Sequence, residues 1–279
     1  MRRIDQPKFS AADVFSTCIS KVRKKDLKKR FESIIPDIES AEKSYKKLAE
    51  KSMLYTFSDD LCIRRNVTKE EMKAVYTQRM ANSGGPGYEI YNLLKRGTFN
   101  RTCPICGQRK VSTLDHYLPK ASYPSVVVTP LNLIPACPEC NKMKLDDAAH
   151  TSEEETLHPY FDDLGSDRFL FAEVQNGEPP VINFFIDPPK TWDEKLAQKV
   201  KNHFISFELN LLYSMQAIDD IIGQAGFWYQ LNKEDLKNQL SFQAESRRMA
   251  HPNSWQTAFY EGMSQDDWFC EKGFKKFIE

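Results

Sequence analysis

The sequence predicts an α+β protein, a mainly helical chain built around one small, metal-stapled module. Three observations carry that expectation. Apolar residues recur at helical spacing up to about residue 97 and again after about residue 190. Two CxxC pairs, Cys103/Cys106 and Cys137/Cys140, enclose the stretch between them. Short β-prone runs lie inside that stretch and again at 168–187. The expected organisation is an N-terminal helical region over 1–97, the module over 98–165, and a hairpin plus helices over 166–279.

From Ser10, apolar residues fall at Val14, Ile19, Val22, Leu27, Phe31, Ile34 and Ile35, close to a helical period. Pro36 is expected to break this segment, with a second helix from near Ile38 towards Leu54. Between Lys21 and Arg30 stand seven basic residues against Asp26 alone. Such a run suits a phosphate or an acidic partner, but a solvated helix face is the commoner use. Thr68 with Glu71 fits a capping box opening a helix through Met72, Val75 and Met80. Ser83-Gly84-Gly85-Pro86-Gly87 matches no phosphate-binding glycine pattern and reads as a turn. A short helix from Tyr88 to Lys95 ends at Arg96-Gly97.

After the module, 168–175 and 180–187 read as two strands joined around Asn176-Gly177. Thr191 with Glu194 fits a second capping box. It opens a long helix whose stripe of Trp192, Leu196, Val200, Phe204, Phe207, Leu211, Met215, Ile218 and Ile222 reads as core. Asn232–Met249 is another amphipathic helix, and the aromatic-rich tail from Trp255 to Phe277 is expected to pack back onto it.

The chain has 279 residues, 41% of them hydrophobic and 12% aromatic, with a mean hydropathy of −0.57. That is the balance of an ordinary water-soluble globular protein, long enough for a sizeable core. The apolar runs fall short of a membrane span and no signal-peptide pattern opens the chain, so no membrane partner and a cytoplasmic location are expected. The net charge is +0. A nucleic-acid footprint would have to be local, or be supplied by a partner. Of seven cysteines, Cys18, Cys62 and Cys270 stand alone. Together with the two pairs they suggest a metal site plus free thiols rather than a disulfide framework.

Four thiolates from two CxxC pairs complete a tetrahedral shell for Zn²⁺, and a closed four-ligand site is structural. Chemistry must come from what the pairs frame. Val111–Leu114 leads as a strand into Asp115-His116, and Cys140-Asn141-Lys142-Met143-Lys144 begins a short helix. Strand, loop, strand and helix in that order bring Asp115 and Asn141 together at a strand–helix junction. Two oxygen ligands there suit a hard cation such as Mg²⁺, which leaves positions for water and phosphate. His116 alongside can take a proton from water. His158, in the HPYFDDL loop, would either contact phosphate or pack under Tyr160 and Phe161. His150, His203 and His251 carry no motif.

The pattern Asp115-His116, Asn132, Asn141-x-x-Lys144 within two CxxC pairs resembles the HNH endonucleases, the ββα-metal nucleases. The resemblance implies hydrolysis of DNA phosphodiester bonds with His116 as general base. Asp115 and Asn141 would bind the catalytic metal, Asn132 would hold the loop and orient His116, and Lys144 would lie near the phosphate. Asn141 stands where many members have His; an oxygen ligand there favours Mg²⁺ or Mn²⁺. The motif covers about a sixth of the chain. More loosely, the MRRIDQP opening, the helical flanks and the HPYFDDL loop resemble the HNH subunit of Septu-type anti-phage defence systems, also met beside some retrons. That likeness implies a bacterial effector nuclease held by an ABC-type ATPase. The chain itself has no Walker motif. The alternatives are a non-catalytic zinc-stapled binding module, and a free-standing restriction or homing-type nuclease.

Overall fold

Residues 2–163 fold around a core that joins the N-terminal helices to the central stretch. The computed structural model describes residues 1–144, 149–178 and 180–277, with the backbone alone at 63 and 64. The protein is α+β, and it divides into two compact units, Arg2–Asp163 and the segment from Leu164 on. The first contains α1 (Ala11–Ile19), α2 (Lys25–Ser33), α3 (Ile35–Ala49), α4 (Leu61–Arg64), α5 (Lys69–Ala74) and α6 (Tyr88–Arg96). They are followed by β1 (Thr113–His116), β2 (Leu133–Ala136) and α7 (Pro138–Met143).

Phe15, Ile34, Ile38, Met72 and Met80 share their core with Leu114, Val127, Val128 and Leu133 of the central stretch. The expected boundary at residue 97 therefore lies inside this unit. A two-stranded sheet of four-residue strands cannot bury its own faces, so it leans on the helices.

Local signals set most helix starts. Ser10 caps α1 by accepting from the Asp13 amide, and Thr68 and Glu71 form the reciprocal capping box of α5. Pro36 does not break a helix. It sits in the first turn of α3, where its missing N–H has no partner to lose; the segment is interrupted just before it, at Ile34 between α2 and α3, and also earlier, between α1 and α2. The basic run is a solvated face except at Arg30, whose guanidinium grips Glu71 at 2.7 and 2.8 Å and the Asn66 carbonyl at 2.7 Å. The glycine cluster is a turn drawn tight at Gly85, where a Cβ would stand 2.3 Å from the Arg79 carbonyl oxygen.

In the second unit, β3 (Leu170–Gln175) and β4 (Val181–Ile186) form the expected antiparallel hairpin, with Leu170 opposite Ile186. The helices are α8 (Glu194–Ser206), α9 (Leu209–Trp228), α10 (Lys233–Ala250), α11 (Trp255–Gln265) and α12 (Asp267–Glu271). Phe259, Tyr260, Phe269 and Phe274 of the aromatic tail are buried. Two expectations need correction. The cap of α8 is Asp193, accepting from the Leu196 amide at 2.8 Å, not Thr191. The long helix is also interrupted at Glu208, in the left-handed region at φ 48°. That break resets the helical phase. Val200, Phe204 and Phe207 are buried as read, but α9 buries Leu212, Tyr213, Ala217 and Ile221 instead, leaving Leu211, Met215 and Ile222 more than half exposed.

Helix α11 lies so close on β3 that a Cβ at Gly262 would meet the Ala172 carbonyl oxygen at 2.0 Å. Alanine in a helix is ordinarily favoured over glycine by about 1 kcal/mol. Here the clash is with backbone and wins. Gly262→Ala should destabilise the protein by roughly 1–3 kcal/mol, seen as a lower melting midpoint; an unchanged or higher midpoint would refute the close approach. Among the described residues, no helix is long and apolar enough to cross a membrane.

Candidate metal centre and cleft

The two CxxC pairs reach one point by two different local structures. The first forms a tight knuckle in which the Gly107 amide donates to the Cys103 carbonyl at 2.8 Å and Gly107 takes φ 67°. The Arg109 amide donates to Cys106 Sγ at 3.4 Å. In the second, Cys137 is the N-cap of α7, its Sγ accepting from the Cys140 amide at 3.4 Å. All four Sγ atoms lie within 4.8 Å of one another and all four residues are buried. Tetrahedral Zn²⁺ with bonds of about 2.3 Å sets its sulfurs about 3.8 Å apart, so the cage fits. This buried four-cysteine group can hold a structural metal such as zinc, with every ligand supplied by the protein. Hydrogen bonds from Cys103 and the other two thiols draw Cys106 down, and contacts within the same set hold Cys137 and Cys140 up. Four adjacent thiolates need a cation to be charged together.

Beside this cage, Asp115, His116, Asn141 and Lys144 line one cleft of about 190 Å³, joined by Tyr76 and Lys120. Asp115 is 8% exposed. Among the described residues its Oδ2 is buried without a hydrogen bond, 3.6 Å from Lys144 Nζ. Burial raises the pKa of this carboxyl, against the pull of the Lys144 charge.

His116 Nε2 stands 2.9 Å from the Val127 carbonyl oxygen. A carbonyl only accepts, so Nε2 carries the proton and Nδ1 is the basic nitrogen. Among the described residues, none hydrogen-bonds to Nδ1. Burial pushes the His116 pKa down to about 3, so the ring is neutral near pH 7. Asn141 Nδ2 donates to Thr113 Oγ1 at 3.2 Å, which among the described residues leaves Oδ1 as the open acceptor.

Asn132 does not reach the cleft. It is fully buried behind it, with Oδ1 accepting from the Leu118 amide at 2.7 Å and Nδ2 donating to the Leu118 and Val126 carbonyls, both at 3.1 Å. One side chain thus clamps both ends of the loop whose next residue, Val127, holds His116. Asn132→Ala would strand two buried backbone groups, the Leu118 amide and carbonyl, and leave the Val126 carbonyl with only the Thr129 amide. It should cost about 2–5 kcal/mol, measured as a loss of melting stability; a loss under about 1 kcal/mol, the net worth of a single ordinary hydrogen bond, would show that the loop is held otherwise.

Lys144 differs from expectation, and of the two readings of His158 the packed one holds. Lys144 lines the cleft, but its Nζ donates to the His116 and Tyr117 carbonyls at 3.0 and 2.7 Å, sits over the Tyr117 ring and faces Asp115. It braces the strand end and balances the Asp115 charge rather than extending to a phosphate. His158 is 1% exposed, its Nε2 2.9 Å from the Tyr45 hydroxyl, with Tyr117, Tyr160 and Phe161 around it. It is a core histidine outside the cleft, because the HPYFDDL loop folds inward.

Tyr76 was not anticipated. Its ring stands edge-on to His116 with centroids 4.4 Å apart, and its hydroxyl donates to the Leu114 carbonyl at 3.2 Å. It belongs to Val75–Met80, where α5 widens into π-helical spacing, with the Ala81 amide on the Tyr76 carbonyl at 2.8 Å. Such widened turns often sit at functional sites. Neither this partner nor the Val127 carbonyl leaves a signal in the central motif.

Comparison with known proteins gives a full-length likeness. The chain is 21% identical over 295 residues to Protein ea31 of Escherichia phage lambda, covering 96% of this chain and 99% of that protein. No family model matches the chain. No solved structure matches it.

Proposed function

We propose that this cleft is the active site of a metal-dependent DNA endonuclease of the HNH type. The observation that carries the reading is the convergence of Asp115, His116 and Asn141 on one cleft beside the four-cysteine cage. Among the described residues, Asp115 Oδ2 is a buried carboxylate oxygen with no hydrogen bond, and Asn141 Oδ1 is an open amide oxygen. That donor set fits Mg²⁺ or Mn²⁺, which would supply positive charge for the scissile phosphate and the leaving oxygen.

His116 Nδ1 takes a proton from water as the water oxygen bonds to phosphorus and the bond to the 3′ oxygen breaks. Nε2–H on the Val127 carbonyl fixes the ring in the tautomer this step requires. Asn132 positions the loop that provides that carbonyl, and Lys144 steadies Asp115. The zinc cage is structural.

A narrower reading makes the chain the effector of an anti-phage defence complex in the bacterial cytoplasm, with an ABC-type ATPase controlling its access to DNA. Its neutral net charge suits a nuclease that borrows phosphate contacts from a partner. The test is cleavage of supercoiled plasmid with Mg²⁺ or Mn²⁺ by the purified chain, alone and co-purified with such an ATPase. Metal-dependent nicks or breaks support the nuclease, and a requirement for the ATPase supports the complex. Intact plasmid under both conditions would refute the reading.

A further inference from the structure

Away from the cleft, within the same unit, a groove of about 520 Å³ runs between residues 2–6 and the turn that follows α6. Its size suits a small ligand. The N-terminal strap is fixed by backbone bonds, Arg2 N–H to the Pro104 carbonyl at 2.8 Å and Ile4 N–H to the Pro159 carbonyl at 3.0 Å. Opposite stand Thr98, Phe99 and Thr102.

Three features of the groove are unusual for a plain surface. Phe99 is 82% exposed on its wall. The turn that presents it holds two consecutive non-glycine residues in the left-handed region, Asn100 at φ 50° and Arg101 at φ 52°. The turn is also locked, with the Thr102 amide on the Phe99 carbonyl at 3.0 Å and Lys110 Nζ on the Asn100 carbonyl at 3.0 Å. A rigid turn holding an aromatic ring out in water is the kind of strain that accompanies binding.

Polar groups in the walls also lack partners among the described residues. Thr98 is 7% exposed, yet its Oγ1 is buried with no hydrogen bond, and so is Arg2 Nε. Arg3 is paired with Asp163, and Asp5 adds one acid to the lining, which leaves Arg2 as the uncommitted cation of the described lining. Around the turn, residues 95–110 carry Lys95, Arg96, Arg101 and Lys110 and no acid, besides Arg109, which pairs with Glu139 beside the cysteine cage. In a chain of zero net charge this is a local basic footprint with an aromatic ring at its centre.

We propose that this groove binds a nucleoside phosphate, with the base stacked on Phe99 and the phosphate held by Arg2 and Thr98. The ligand is a free nucleotide or one unit of a single strand. Neither source requires that the Asp115 cleft be catalytic.

Fluorescence anisotropy of the full chain tests the site with two probes, a short fluorescein-labelled phosphorothioate oligothymidylate and fluorescein-labelled AMP, and with unlabelled AMP as competitor. Phe99→Ala should weaken binding roughly fivefold or more, and Arg2→Gln should weaken it and flatten its salt dependence by about one phosphate contact. Phe99 is exposed, so its removal leaves the fold intact. Displacement of the oligothymidylate by unlabelled AMP assigns the groove to a free nucleotide. Variant-sensitive binding that AMP does not displace assigns it to a strand. Wild-type affinity in both variants, or no binding of either probe by the wild type, overturns the proposal.

Discussion

His116→Ala is expected to slow metal-dependent plasmid cleavage by about 10²–10⁴-fold, the usual contribution of a positioned general base. The ring is buried between Tyr76 and the Val127 carbonyl, so alanine also removes packing and a hydrogen bond. Lost activity alone would not separate chemistry from support. His116→Gln separates them, because its amide can still donate to Val127 but offers no basic nitrogen. Both variants should lose cleavage, and the Gln variant should melt closer to the wild type. Cleavage retained in the Gln variant would remove His116 from the role of base, even if the alanine variant were dead. Asp115→Ala should lose cleavage too while the metal of the cysteine cage stays bound, since Asp115 takes no part in that cage.

The parts of this site that were legible from sequence are those whose chemistry depends on spacing. Two CxxC pairs can close on one metal because each pair needs only a local turn or helix start, and the structure has one of each. Asp115 and His116 sit where a strand ends, and Asn141 on the helix that the second pair opens, so topology alone brings them to the same cleft. Side-chain direction was not legible. Lys144 turns back onto backbone carbonyls, and His158 turns into an aromatic core, although both lie near the motif in sequence. Tyr76 arrives from a helix nearly forty residues earlier through tertiary packing, which no local pattern encodes. The exposed face of α9 was hidden for a related reason. A single left-handed residue, Glu208, shifts the phase of the stripe, and periodicity read across it assigns the wrong face to the core.

Cys137→Ser should produce the largest loss of stability. Wild-type protein is expected to carry a single zinc in the four-cysteine cage, and the variant to lose it. Cys137 is both a ligand and the N-cap of α7, the helix that carries Cys140 and Asn141. Structural zinc contributes about 10–16 kcal/mol of apparent binding energy in small domains, comparable to or larger than the whole stability of a typical domain, about 5–15 kcal/mol. Two four-residue strands have no comparable reserve. The damage should spread, because Leu114 and Leu133 belong to the core shared with α1, α3 and α5. Bound zinc, melting midpoint and protease sensitivity of residues 98–163 are the measurements. Cys62→Ser, at a partly exposed lone cysteine, should leave all three unchanged. A Cys137→Ser protein that melts like the wild type would mean that packing against the helices alone holds β1 and β2, and that the four thiols are not what staples this unit.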